Sequence, residues 1–102
     1  MRNYDDEFQD NISRQYAYDF DAVVRRYMMQ TLTPFFTNGK ALELGCFEGD
    51  STVLFTDHFS DLTVLEASAD LIQTARTKVP DSVCFIHSTI EEAILEPVYD
   101  AI

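Results

Sequence analysis

The chain has 102 residues, 46% hydrophobic and 25% charged, which makes it one domain at most and excludes a disordered chain. Its 7 Lys and Arg stand against 18 Asp and Glu, a net charge of −11, so nothing beyond Arg25-Arg26 offers duplex DNA or an anionic membrane a basic footprint. No run of about 18 apolar residues reads as a membrane span, and the acidic opening Met1-Arg2-Asn3-Tyr4-Asp5-Asp6-Glu7 is no secretory signal; a cytoplasmic protein is expected.

Residues 1–17 are polar and acidic with aromatics at Tyr4, Phe8 and Tyr16, consistent with a loose arm or a short helix around Phe8–Ser13. The run Asp5-Asp6-Glu7 reads as a solvated surface. Tyr18, Phe20, Val23, Val24, Tyr27, Met28, Thr31, Leu32 and Phe35 then recur at three- and four-residue steps, the buried face of a helix. Asp19 or Asp21 suits its start, Pro34 ends or kinks it, and Asn38-Gly39 is a turn.

From Lys40 the pattern changes. Ala41-Leu42-Glu43-Leu44 is a short buried-strand candidate closed by Gly45. A helix follows to about Phe59, with Asp50 or Ser51 as its N-cap. Leu62–Glu66 is a second strand, β-branched and apolar up to its terminal acid. Ser68 caps a helix from Ala69 to about Lys78, with Leu71, Ile72 and Ala75 inward, broken by Pro80-Asp81. Val83–Ile86 is a third strand. Ile90–Leu95 is a short helix or turn ended by Pro97, and Val98–Ile102 starts a fourth strand. Apolar strands alternating with helices imply parallel βαβ units, hence an α/β fold with an open, mostly parallel sheet and flanking helices, preceded by an N-terminal helical segment. The last residues stop inside a strand, so the sheet is expected to be incomplete and the chain the N-terminal part of a longer one. Cys46 and Cys84 have neither metal-ligand spacing nor a disulfide-rich context; both are expected reduced and mostly buried, and no metal site is expected.

The informative stretch is Glu43-Leu44-Gly45-Cys46-Phe47-Glu48-Gly49-Asp50, where the first strand turns into a helix. Ligands of open α/β sheets sit at the carboxyl ends of strands, where glycines let backbone approach them closely. Glu66 closes the second strand, and a carboxylate there can accept both ribose hydroxyls of a nucleoside. A dinucleotide site wants G-x-G-x-x-G with amides around a pyrophosphate. Here the spacing is G-x-x-x-G, and Glu43, Glu48 and Asp50 would repel a pyrophosphate. A cofactor with a cationic centre and an ammonium group would tolerate them.

This segment resembles motif I of class I S-adenosylmethionine-dependent methyltransferases, acid-x-Gly-x-Gly-x-Gly. Val64-Leu65-Glu66-Ala67-Ser68 is similar to the family's second motif, Phe85–Glu91 to the segment after strand three, and Tyr99–Ile102 to the start of strand four. The resemblance covers roughly residues 40–102. It implies a Rossmann-like fold, with an N-terminal helical cap segment at 1–38 and a cofactor-binding part at 39–102. It also implies S-adenosyl-L-methionine as cofactor, S-adenosyl-L-homocysteine as product, and a small-molecule methyl acceptor. Carried over, Glu43 faces the methionine ammonium, Gly45 and Cys46 offer backbone to the methionine part, and Gly49 permits the turn. Glu66 holds the ribose, Ala67 lies beside the adenine, and Thr89 stands where the family often has Asp, with Ile90 against the ring. Two positions depart from the pattern. Phe47 replaces the middle glycine and needs a conformation that turns its ring away from the cofactor. Thr89 is a weaker partner for an adenine amino group than a carboxylate.

Cys46 lacks an activating base in its neighbourhood and reads as a small packed side chain rather than a nucleophile. His58 and His87 read as capped or solvated histidines rather than bases. The family's N-terminal helices often cover the cofactor, which makes Tyr16, Tyr18, Arg25 and Arg26 candidates to contact its carboxylate. No catalytic residue is identifiable. The competing reading is a non-catalytic cofactor-binding or interaction module that associates through exposed sheet edges, for instance as a homodimer; an NAD-dependent oxidoreductase is a third. Nucleic acid and membrane are not expected partners.

Overall fold

The computed structural model describes residues 2–6 and 21–102. Helix α1 spans Asp21–Leu32 and passes into a 3-10 turn at Thr33–Phe35. Pro34 thus ends the α-helix by tightening its last turn. Next come β1 (Lys40–Leu44), α2 (Asp50–Phe55), β2 (Asp61–Glu66), α3 (Ala69–Arg76) and β3 (Cys84–His87). The strands form one parallel sheet in the order β1-β2-β3, in register from Lys40↔Asp61 to Leu44↔Leu65 and from Thr63↔Cys84 to Glu66↔His87. The α/β reading therefore holds. β2 is the central strand, and all but its first residue are buried, as expected where helices cover a parallel sheet.

The core gathers Ala41, Cys46, Phe59, Leu62, Val64, Ala75 and Val83. Phe36 fastens the entry to β1 onto α2 and the turn after it, with its ring 4.9 Å from that of Phe59 and 6.0 Å from that of Phe55. Ser68 caps α3 as expected: its Oγ accepts from Leu71 N at 3.2 Å, and Leu71, Ile72 and Ala75 are buried.

Several expectations are corrected. The cap of α2 is Gly49, at φ 91° and with no side-chain bond, not Asp50 or Ser51. Those side chains are used elsewhere: Asp50 Oδ1 accepts from Lys78 Nζ at 3.1 Å, and Ser51 Oγ from Arg25 Nε at 3.1 Å. α2 ends at Phe55, and turns carry the chain on to Phe59. The stripe on α1 is not a buried face. Val24, Tyr27 and Phe35 are 54%, 64% and 78% exposed, and Met29 is the buried residue of α1. Met28, Leu32 and Phe35 overhang a cleft of about 610 Å³ walled by β1 and residues 100–102, so the stripe meets a groove instead of a packed layer. The fourth strand is a single parallel bridge, Ala41↔Ala101, preceded by a turn in which Val98 N donates to Glu96 O at 2.9 Å. Residues 90–92 form a turn, with Ala93 N on Thr89 O at 3.1 Å. Cys84 is exposed, on the outer strand β3, while Cys46 is buried. The expected helix at Phe8–Ser13 and the residues Tyr16, Tyr18, Asp19 and Phe20 lie outside the described residues.

Candidate ligand-binding site

The carboxyl ends of β1 and β2 bring the two strand-ending acids together. Glu66 is buried, 8% exposed. Its Oε1 accepts from Cys46 N at 3.1 Å and its Oε2 from Ser68 N at 2.9 Å. One carboxylate thus ties the glycine turn after β1 to the cap of α3; Oε1 also accepts from the Cys46 thiol at 3.8 Å, and Oε2 keeps lone-pair capacity for a further donor. Gly45 N donates to Leu65 O at 2.8 Å, which extends the β1–β2 ladder into the turn.

Glu43 points into the same region from β1. Its Oε1 accepts from Thr52 Oγ1 at 2.6 Å. Burial pushes its carboxyl up to about 7, opposed by the Thr52 hydrogen bond and reinforced by the charge of Glu66. Burial also pushes the Cys46 thiol up to about 12, with the charges of Glu66 and Glu43 adding to it. That thiol is not a nucleophile at neutral pH.

The turn itself is built from left-handed residues. Gly45, Phe47 and Gly49 have φ of 78°, 50° and 91°. Phe47 adopts a conformation that costs a residue with a Cβ about 1–2 kcal/mol. The two glycines serve different ends. A Cβ at Gly49 would stand 2.7 Å from Ala75 Cβ and 2.9 Å from Ala75 Cα, whereas one at Gly45 meets nothing within 4 Å. Gly49 is there for close packing on α3, and Gly45 faces open space beside the two acids.

Lys78 completes the loop's electrostatics, with Nζ 3.1 Å from Asp50 Oδ1 and 3.8 Å from Glu48 Oε2. It balances two acids that would otherwise crowd the turn. Past Glu66, a second cleft of about 690 Å³ lies between residues 2–5 and the strand-end residues Ala67, His87 and Thr89. His87 Nε2 sits 3.1 Å from Ala67 O, an orienting contact with no base chemistry attached. Ile90 is 62% exposed and does not line that cleft. Among the described residues, no group of three or more His, Cys, Asp and Glu side chains is arranged to hold a metal ion, and no helix is long and apolar enough to cross a membrane.

The sequence-predicted residues Glu43, Gly45, Cys46, Gly49, Glu66 and Ala67 therefore come together at the carboxyl ends of β1 and β2, Thr89 lines the cleft beside Ala67, and Ile90 stands outside it. Four participants were missed. Thr52, fully buried, is the hydroxyl donor to Glu43, and Ser68 is more than a cap because its amide holds Glu66. Lys78 neutralises the loop. Asp5, read as a solvated surface, instead accepts from Ser68 Oγ and, at 3.2 Å, from Asp70 N. Two signals were present in the sequence: an acidic helix start wants a cation nearby, and an acid suits a helix N-terminus.

No family model matches this sequence, and no curated protein matches it. Among solved structures, the chain is similar to the N-methyltransferase NodS from Bradyrhizobium japonicum WM9 in complex with S-adenosyl-L-homocysteine. The TM-score is 0.74 at 19% identity, over 92% of this chain and 52% of that one. The chain has the Rossmann-like fold of that structure. A Listeria monocytogenes protein assigned as an S-adenosylmethionine-dependent methyltransferase aligns with TM-score 0.62 and 22% identity, over 78% of this chain and 37% of its own. Streptomyces venezuelae DesVI aligns with TM-score 0.57 and 21% identity, over 93% and 40%. The chain spans about half the length, or less, of these methyltransferase-fold structures.

Proposed function

We propose that this chain binds S-adenosyl-L-methionine and forms the cofactor-binding half of a methyltransferase acting on a small-molecule acceptor. The observation that carries this reading is the pair of acids at adjacent strand ends. Glu66 is oriented by two backbone amides, and the largely buried Glu43 is oriented by Thr52. Both flank a glycine turn whose Gly45 face has room for a ligand. The donor set fits the cofactor. The remaining acceptor capacity of Glu66 Oε2 suits a ribose hydroxyl, the backbone of Gly45 and Cys46 suits the methionine part, and Glu43 suits an ammonium. Ala67 and Thr89, which line the second cleft, would border the adenine, and Gly49 holds the turn against α3. A pyrophosphate would meet Glu43 and Glu66 as like charges, which disfavours a dinucleotide.

When bound, the cofactor supplies an electrophilic methyl group, and this chain's residues bind and orient it. Glu66 and its two amides fix the direction of the nucleoside, and Glu43 ionises when a cation comes near. Neither acid is asked to take a proton from an acceptor. Rate acceleration then rests on alignment, which can supply much of the barrier reduction in an in-line displacement. The charge of −11 favours a small or cationic acceptor over a polyanion.

The test is a calorimetric titration of the chain with S-adenosyl-L-homocysteine. Saturable one-site binding that Glu66→Ala abolishes is the expected result. No heat from a chain that circular dichroism shows to be folded overturns the reading.

A second reading is favoured by a specific feature, the exposed stripe of Val24, Tyr27 and Phe35 beside an edge of β1 bridged only near Ala101. In that reading the chain is an association module, a homodimer being the simplest case. A sedimenting monomer at high concentration excludes it.

A further inference from the structure

Residues 2–6 and the start of α3 are joined through one serine. Asn3 Oδ1 accepts from the amides of Asp5 and Asp6 at 3.1 and 3.0 Å, and the Arg2 guanidinium lies 5.0 Å from the centre of the Tyr4 ring. These local contacts give the segment a shape of its own and present Asp5 to α3. Asp5 Oδ1 then accepts from Ser68 Oγ and from Asp70 N. Ser68 also receives Leu71 N on the same Oγ and gives its own amide to Glu66. A carboxylate at a helix N-terminus is favoured by the exposed amides and the dipole. The Ser68 hydroxyl, followed by the Asp70 amide and the charge of His87, holds Asp5 below the ordinary value of 3.8, so it is an anion at neutral pH.

The consequence lies in the cleft this contact creates. Residues 2–5 make one wall of the 690 Å³ space, and Ala67 with the residues that end β3 makes the other. The volume is in the usual range for small-molecule sites. Glu43 and Gly45 border the other cleft, with α1. Glu66 links the two in the chain and by hydrogen bond: its Oε1 holds the amide of Cys46, next to Gly45, and the residue after it, Ala67, lines the 690 Å³ space. A ligand whose ribose is held by Glu66 would therefore extend its base toward the wall built by residues 2–5.

We propose that residues 2–6 form the outer wall of a pocket for the purine nucleoside part of the ligand, and that Asp5 is the positioning residue that docks this wall on α3. The inference rests on the cofactor-binding reading above and adds to it a residue from outside the sheet. Asp5 does not touch the nucleoside; it acts through Ser68 and Asp70, next to the serine amide that orients Glu66.

The experiment compares wild type with Asp5→Asn, which keeps the size and removes the charge. Calorimetry with S-adenosyl-L-homocysteine reads affinity, and amide hydrogen exchange by NMR reads docking. Affinity should fall about two- to fivefold, the size of one carboxylate's effect at a helix N-terminus read as a binding ratio. Exchange at Asp70 should speed up in the variant. In wild type the ligand should slow exchange at Asp5 and Asp6, a change that a role confined to capping α3 would not produce. Wild-type binding with unchanged affinity in Asp5→Asn, or with no ligand-dependent protection at Asp5 and Asp6, overturns this inference and leaves the cofactor reading intact. A folded wild type that binds no S-adenosyl-L-homocysteine overturns both.

Discussion

Glu43 offers the sharpest test of the site's electrostatics. Burial is the main cause that raises its carboxyl from 4.5 to about 7. A folded state that holds a proton more tightly than the unfolded chain gains from it fully below pH 4.5. It loses that gain as the pH rises through about 7. At about 1.4 kcal/mol per pH unit, the span from 4.5 to about 7 corresponds to about 3 kcal/mol. Glu43→Gln keeps an acceptor for Thr52 Oγ1 and cannot titrate. Urea unfolding followed by circular dichroism at several pH values between about 5 and 8 should show wild type losing about 2–3 kcal/mol relative to the variant. Parallel stability curves would refute the argument, because they would mean that Glu43 ionises in the fold as easily as in water. The same chemistry appears in binding. A ligand ammonium favours the carboxylate, so S-adenosyl-L-homocysteine should displace a proton near pH 6, below the raised value of about 7. The binding heat should then depend on the buffer's ionisation enthalpy, and in Glu43→Gln it should not.

Three further outcomes follow from the geometry. Gly49→Ala should cost at least about 2 kcal/mol in urea unfolding, since left-handed strain adds to a collision with Ala75; Gly45→Ala, with nothing within 4 Å, should cost only about 1 kcal/mol from strain while weakening S-adenosyl-L-homocysteine binding. Thr52→Val should move the Glu43 transition in the stability curve to higher pH, because the hydroxyl that lowers its value is gone. Lys78→Met should lower stability by no more than about 1 kcal/mol at low ionic strength, and added salt should erase the difference, as expected for a partly exposed ion pair.

The alternation of apolar strands and helices from Lys40 to His87 was legible in the residues, because a buried parallel strand is a short β-branched run and a helix over it shows a three-to-four period. The acids ending β1 and β2 were legible for the same reason: once two parallel strands are placed, their last residues share an edge. Ser68 as a cap and Pro34 as a stop depend on one residue's own backbone and side chain, so position in the sequence was enough. Tertiary structure decided the rest. Periodicity marked an apolar face on α1, but only the presence or absence of an opposing layer determines whether such a face is buried. Here Met29 is covered while Met28, Leu32 and Phe35 border a groove. Asp50 and Ser51 have the chemistry of caps, yet Lys78 and Arg25, distant in sequence, draw their side chains away and leave Gly49 to begin α2. Asp5 stood in an acidic run indistinguishable from a solvated surface until folding set it against α3. Local residue chemistry by itself determined which elements form and which side chains end them. Long-range packing alone decided what those side chains touch, because hydrogen-bond partners and low-dielectric surroundings come from segments that the local sequence does not contain.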